Sequence, residues 1–385
     1  MMDKKVLFCA TKDYHFEAFH LPYFKWFNEQ GYEVHTAANG DLKLPFVDQK
    51  HIISIQRSPF KKENIKAYKE LEYIIETNNF QIVHCHTPMG GVLARLAGRK
   101  ARKNGTKVIY TAHGFHFCKG APLLNWFLYY PIEKLLAKIT DCLITINEED
   151  FQLAKKRKFK AQKITHVHGV GVDTERYHSV SSFNKSVLRS EKGYSDGDFL
   201  MFYAAEFNKN KNQQLLLHSF SLIKNEIPTA RLILAGEGPL LEDCKKLATA
   251  LGIRNKVDFL GFRKDIDVLL KMSDLAVASS LREGLPVNIM EAMACGLPVI
   301  ANDNRGHREL VTNNQNGWLI RKNDEKGFSE KITKVAGNDE ILKKFGVSSQ
   351  KIIEHTYSTK KILDVKSEIY KSYMENKEDR VWAVH

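Results

Sequence analysis

Short apolar runs recur along the chain, each followed by a longer stretch in which apolar positions return at helical spacing. In the first half KKVLFCA, YEVHTAA, HIISIQ, QIVHCHT, KVIYTAHG, CLITIN and KITHVHG read as strands, with amphipathic stretches between most of them. Strands and helices alternating in this way specify a parallel sheet covered by helices on both faces. The pattern breaks at GVGVDTERYH, crosses a polar stretch, SSFNKSVLRSEKGYSDGD, and restarts with FLMFYAAEF, RLILAGEG, VDFLG, DLAVASS, PVIAND and GWLIRKN. The break predicts a hinge near residues 169–175 and two doubly wound, Rossmann-like α/β domains, 1–172 and 173–350, facing across a cleft. A polar helical tail, 351–385, is expected to pack back across the hinge. Open sheets of this kind bind ligands beyond the carboxyl ends of their strands. Residues that end predicted strands are therefore candidates: His86, His113, Glu206, Gly236, Gly261 and Ser280.

A chain of 385 residues is long for one core and suits two. With 43% hydrophobic and 27% charged residues the composition is that of a folded soluble protein. No run approaches the roughly 20 apolar residues of a membrane-spanning helix. The opening MMDKKVLFCAT returns to polar residues too soon for a signal peptide, so a cytoplasmic location is expected. Six cysteines lack CxxC spacing and read as reduced, buried thiols. The net charge of +13 is concentrated in residues 1–170, notably in GRKARKNGTK and KKRKFKAQK. These clusters are either solvated helix ends or a surface for an anionic partner. They lack interleaved aromatics and any nucleic-acid motif, so nucleic acid is not an expected partner. The apolar stretch PLLNWFLYYPIEKLLAKI allows burial against the sheet or a helix dipping into a membrane surface. Beside the basic first half, it gives an expectation of peripheral association with the inner face of the cell membrane.

The densest chemistry lies in LREGLPVNIMEAMACGLPVIA, residues 281–301, where Glu283 and Glu291 flank a Gly-Leu-Pro turn. Pro286 and Gly296 predict the start and stop of a helix between them. Glu283 then lies in a loop and Glu291 just over one turn into the helix, so they are not a paired acid and base. The helix start offers free amides that favour phosphate, and Gly284 lets a ligand approach the backbone. Carboxylates beside such a site suit hydroxyl groups. Hydroxyls on both sides of a diphosphate describe a nucleoside-diphosphate sugar.

The Glu-x7-Glu pattern in EGLPVNIMEAMACGLPVIA resembles the signature of retaining glycosyltransferase family 4, whose members have the GT-B fold. LILAGEGP, VDFLGFRKDI, SDLAVASS and GHRELVTNNQNGWLI agree in order, so the resemblance covers nearly the whole chain. TKDYHFEAFHLPYFKWF and TAHGFHFCKGAPLLNWFLYYPIEKLLAKI further resemble the bacterial capsular and exopolysaccharide branch. The resemblance implies that Glu291 binds ribose hydroxyls and Glu283 a hydroxyl of the donor sugar. The amides of Gly284, Leu285, Pro286-Val287 would face the sugar and diphosphate, which Lys211 would neutralise. Phe262 and Arg263 would receive the base, and His113 would stand near the sugar and the reaction centre. The implied activity moves a sugar from a nucleotide, expected to be UDP, to a polyprenyl-diphosphate-linked saccharide.

Two departures from the family stand out. Where many members have Gly-Arg-Leu this chain has Ala205-Glu206-Phe207, so Glu206 replaces a diphosphate cation; Lys209 could substitute, or Glu206 could contact a sugar hydroxyl. Where many have a Gly-Gly loop it has ATKDYHFEAFH, which makes His15 and His20 acceptor-side candidates. No metal is expected if protein cations neutralise the leaving group. The triplets DGD (196–198) and DID (265–267) read as loop and helix-opening acids, and the pairs His84/His86 and His166/His168 lack a third ligand nearby in sequence. Two other readings stay open: an isomerase like the UDP-N-acetylglucosamine 2-epimerases, and a catalytically inactive binding subunit.

Overall fold

The computed structural model describes residues 3–374. Each predicted strand forms, though of HIISIQ only His51 and Ile52 are in the strand. In the first half these are β1 (Asp3–Lys12), β2 (Glu33–Asn39), β3 (Gln49–Ile52), β4 (Phe80–His86), β5 (Lys107–Ala112), β6 (Cys142–Thr145) and β7 (Lys163–His166). They pair in parallel in the order β3-β2-β1-β4-β5-β6-β7. The second sheet holds β8 (Phe199–Ala204), β9 (Ala230–Ala235), β10 (Val257–Phe259), β11 (Leu275–Ala278), β12 (Val299–Asn302) and β13 (Gly317–Ile320). Its order, β10-β9-β8-β11-β12-β13, is again wholly parallel. In both sheets three strands are laid in one direction and the fourth returns to the other side of the first, so the order reverses at β1/β4 and at β8/β11. Such reversal points open a crevice at the carboxyl edge of a sheet, because the connections on either side leave in opposite directions.

The chain divides into two units, one ending at Gly171 and resuming at Thr359, the other spanning Val172–Ser358. The first unit has a core on each face of its sheet, as the alternation along β1 dictates. Val6, Phe8 and Ala10 face helices 14–19 and 21–29, while Leu7 and Cys9 face helices 63–78 and 88–97. The helix Thr359–Met374 completes the first of these cores with Ile362, Ile369 and Tyr370. The Tyr370 ring lies 4.8 Å from Phe27, and its hydroxyl is 2.8 Å from His84 Nδ1. The helical tail expected from residue 351 thus divides at Ser358/Thr359, and its final stretch, 375–385, lies outside the described residues.

All six cysteines are free and buried. Among the described residues no helix is long and apolar enough to cross a membrane. The helix Leu123–Leu136 is apolar on both sides but covered on one. Trp126, Tyr129 and Tyr130 pack inward, and Glu133 is tied to the buried Arg95 at 2.9 Å. Leu123, Leu124, Phe127, Leu128, Ile132 and Leu135 remain exposed. The basic stretch that follows helix 148–156 flanks this helix, with the Arg157 guanidinium 5.9 Å from the Trp126 ring.

One charge in the first core stands out. Lys366 is 1% exposed, and its ammonium lies 4.5 Å from the centre of the Tyr23 ring. Burial lowers its pKa to about 7. The unfolded chain therefore holds a proton that the folded chain releases between about pH 7 and the ordinary lysine range, so the burial penalty is full below about pH 7 and fades as pH rises. Lys366→Met is expected to stabilise the protein most at acidic to neutral pH. Urea unfolding at about pH 6 and about pH 9 checks this, with the gain over wild type shrinking at the higher pH.

Candidate active site

The reversal point of the second sheet gathers the loops after β8 and β11. Lys211 Nζ reaches Glu283 Oε1 at 2.6 Å, with both side chains mostly shielded from solvent. The two loops are stitched together: Leu281 donates its amide to the Asn210 carbonyl at 2.8 Å, Asn210 Nδ2 to the Arg282 carbonyl at 3.0 Å, and Ser279 Oγ to the Lys211 carbonyl at 2.7 Å. Asn212, with a φ of 51°, turns the chain into helix 213–223. Glu283 is backed by Gly306, where a Cβ would stand 2.7 Å from the Glu283 Cβ, and by Arg305 Nε donating to the Glu283 carbonyl at 3.0 Å.

The glycines of LAGEGP are required by close approach. A Cβ on Gly236 would lie 2.1 Å from the Ala205 carbonyl oxygen, and one on Gly238 2.5 Å from that of Phe207. This clamps the loop after β9 onto the one that leads to Lys211. Glu206 is exposed and accepts from Asn208 Nδ2 at 3.0 Å, while Lys209 is exposed on the same loop.

Helix Val287–Ala294 begins directly after Pro286, and Gly296 follows it with a φ of 79°. Gly284, Leu285, Pro286 and Val287 thus form the approach to its first turn, where Ile289 donates its amide to Asn288 Oδ1 at 3.0 Å and the amides of Val287 and Asn288 have no backbone acceptor within the helix. Glu291 projects from the second turn into a separate environment made by Arg176 and Tyr177. Burial raises its pKa to about 7, against the lowering effect of the Tyr177 hydrogen bond and the Arg176 charge. Arg176 is itself held by Asp267 at 3.1 Å and by the Lys264 carbonyl at 2.9 Å. Arg176 and Tyr177 were missed in the sequence because they sit in the irregular stretch after GVGVD, over a hundred residues from Glu291, and carry no periodic signal. Phe262 is 69% exposed after β10. Arg263 grips Asp265 with two nitrogens at 2.7 and 2.5 Å, and Asp265 also pairs with Lys192. Both acids of DID are therefore occupied by cations, and those of DGD accept from Ser186 and from the Ser195 amide.

In the first unit, the loop after β1 folds into the short helix Tyr14–Phe19 and brings His15 and His20 to the ends of β4 and β5. His20 Nε2 lies 3.1 Å from His86 Nε2, and His86 Nδ1 lies 3.3 Å from His113 Nε2. Burial lowers the pKa of each of these rings, that of His15 to about 4, so the cluster is neutral. His15, His86 and His113 offer ring nitrogens within 4.8 Å of one another and could hold a transition metal. That grouping crosses three elements, so spacing along the chain could not reveal it. His84 is apart from it, held between Tyr370 and Thr111 Oγ1, each at 2.8 Å.

Two parallel, doubly wound α/β sheets, of seven and six strands, are the architecture of the GT-B fold. Residues 184–352 match the family described as Glycosyl transferases group 1, and residues 5–147 match Glycosyl transferase 4-like. EpsD of Bacillus subtilis (strain 168) is 50% identical over 97% of this chain and 98% of its own. The chain belongs to this glycosyltransferase family and is a glycosyltransferase of the GT-B fold. The Escherichia coli UDP-Gal:alpha-D-GlcNAc-diphosphoundecaprenol alpha-1,3-galactosyltransferase is 28% identical over 82% of this chain and 81% of its own. Anabaena Alr3699/HepE, solved in complex with UDP and glucose, superposes with a TM-score of 0.79 at 20% identity, covering 97% of this chain and all of that one.

The raised pKa of Glu291 gives a pH prediction. The unfolded carboxyl ionises at its ordinary value, whereas the folded one waits until about pH 7. Stability tied to this group is therefore fully present below the ordinary glutamate range and is lost as pH rises to about 7. Glu291→Gln should unfold at the same urea concentration as wild type near about pH 4.5 and at a higher one near about pH 7.5. A gap of equal size at both pH values would contradict this.

Proposed function

We propose that this glycosyltransferase is a retaining enzyme that moves a hexosyl or N-acetylhexosaminyl group from a UDP-sugar to a polyprenyl-diphosphate-linked saccharide in capsule or exopolysaccharide synthesis. The Lys211–Glu283 pair carries this reading. Each residue holds the other's charge in place at the reversal point, beside the start of helix 287–294. A donor diphosphate would take the lysine and a sugar hydroxyl the carboxylate, so the pair is exchanged for two ligand contacts and not left buried and unpaired. Glu291 would accept from ribose hydroxyls, and Phe262 is exposed where a base could stack on it. Arg263 would serve the base only by giving up Asp265.

In the transfer, the departing diphosphate is stabilised by Lys211 and the helix-start amides. It takes the proton of the incoming hydroxyl on the same face of the sugar, which retains the configuration. Protein groups supply the positive charge, so the reading requires no metal. His113 serves the sugar side and His15 the acceptor side, while His20, 1% exposed and 3.1 Å from His86 Nε2, serves it only by positioning His86 and the helix above it. The exposed apolar stripe of helix 123–136 beside the basic stretch after helix 148–156 supports a peripheral position on an anionic membrane, where a lipid-linked acceptor resides. Similarity to the diphosphoundecaprenol-dependent galactosyltransferase supports the same acceptor class.

The test measures transfer from UDP-sugars to a polyprenyl-diphosphate-linked N-acetylglucosamine in vesicles. Lys211→Ala and Glu283→Ala should each lower kcat/KM by about 100-fold or more while the variants keep the wild-type Tm. Release of an epimer from UDP-N-acetylglucosamine without acceptor would replace this reading with an isomerase. No turnover of any UDP-sugar would leave a binding subunit.

A further inference from the structure

The reversal point of the first sheet opens into a cavity of about 630 Å³, within the range of small-molecule sites. Its two ends differ in chemistry. At the sheet end stand Thr11 and Lys12 from β1 and Thr87 and Pro88 from the turn after β4, with Arg57 at the rim. Thr11 and Thr87 share a hydrogen bond at 2.7 Å, and Gly90 lets helix 88–97 start close against β1, where a Cβ would lie 3.0 Å from the Ala10 Cα. Lys12 Nζ donates to the neutral Asn39 Oδ1 at 3.0 Å and Arg57 to the Tyr14 hydroxyl. Neither cation is paired with a carboxylate among the described residues. Glu133, the one carboxylate in the lining, is already neutralised by the buried Arg95.

The far wall is apolar. Met89 and Val92 come from helix 88–97, and Leu128 and Ile132 from helix 123–136. The last two are 44% and 45% exposed and continue into the uncovered stripe of Leu124, Phe127 and Leu135. An anion-suited end that grades into an apolar wall, and then into an exposed apolar face, fits a ligand with an anionic head and a hydrocarbon tail.

We propose that this cavity holds the prenyl-diphosphate end of the acceptor. The diphosphate lies against Lys12, Arg57 and the start of helix 88–97. The first isoprene units run along Met89, Val92, Leu128 and Ile132, and the chain leaves over Leu124 and Phe127. This rests on the lipid-linked acceptor reading above and adds where, and by which atoms, that lipid is recognised. Neither end of the cavity suffices alone, so the site selects against a free saccharide, a free diphosphate and an uncharged prenyl alcohol.

The test titrates the full chain with farnesyl diphosphate, farnesol and inorganic pyrophosphate, following Tm and tryptophan fluorescence, with UDP as a control for the second unit. Farnesyl diphosphate should raise Tm and bind at least about 10-fold more tightly than either fragment. Arg57→Gln and Ile132→Gln, both at exposed positions, should each weaken it about 10-fold and leave UDP binding unchanged. Equal affinity for farnesyl diphosphate and pyrophosphate would reduce the cavity to an anion site and overturn the proposal. So would unaltered affinity in both variants, or no binding of farnesyl diphosphate. If transfer to the lipid-linked acceptor persists while farnesyl diphosphate does not bind, the location is wrong and the acceptor reading stands. If farnesyl diphosphate binds as expected and no transfer to that acceptor occurs, the cavity stands and the acceptor reading falls.

Discussion

Parallel strands can be joined only by crossovers, and the crossovers are almost always right-handed. When a sheet grows first to one side of its initial strand and then to the other, the helices leaving the two central strands part, and a gap opens at their carboxyl edge. Both sheets of this protein are built that way, around β1/β4 and around β8/β11. The Lys211–Glu283 pair stands at the second of those gaps and the cavity lined by Thr11, Lys12 and Thr87 at the first. The chemistry follows from what the local chain places there: in the second unit a lysine, two carboxylates and a helix start, in the first a set of neutral histidines and a cavity with two cations at one end.

The two gaps differ in how they handle charge. In the second unit Lys211 and Glu283 are mutually neutralised, and burial raises the pKa of Glu291 to about 7, so that it is only partly ionised at neutral pH. In the first unit the histidines are neutral because their burial removes the stabilisation that water gives to an imidazolium. The charges of Lys211, Glu283 and the histidines are thus paired or suppressed, whereas Lys12 and Arg57 pair with no carboxylate among the described residues. The same accounting explains Arg95, whose guanidinium lies 3.9 Å over the Tyr110 ring and pairs with Glu133, fixing the inner face of helix 123–136 while its outer face stays bare.

The loop after β1 shows how a departure from a family pattern is absorbed. A helix, Tyr14–Phe19, stands where a glycine pair is common, and it needs anchors that glycines would not. Asp13 supplies one, accepting from Lys50 Nζ and from the Leu42 amide, each at 2.8 Å, in a space that Gly40 leaves open. His20 supplies another by packing under the helix against His86, their rings 4.1 Å apart.

Much of the architecture was legible in the sequence because it is encoded locally. A strand buried on both faces must be a short apolar run, and a Pro-start, Gly-stop helix announces itself, so the strands and the loop position of Glu283 ahead of helix 287–294 could be placed from the residues alone, whereas its contacts with Lys211, Arg305 and Gly306 could not. The Arg263–Asp265 pairing, two residues apart, is also local, whereas the family resemblance points Arg263 to the base. What only the tertiary structure decided depends on groups far apart in the chain. Tyr177 meets Glu291, His15 and His20 meet His86 and His113, and the helix Thr359–Met374 returns to close the first core with Tyr370 on His84. Sequence periodicity reports which face of an element is buried, but not what it is buried against, and the partner is what sets a buried group's charge and hence its chemistry.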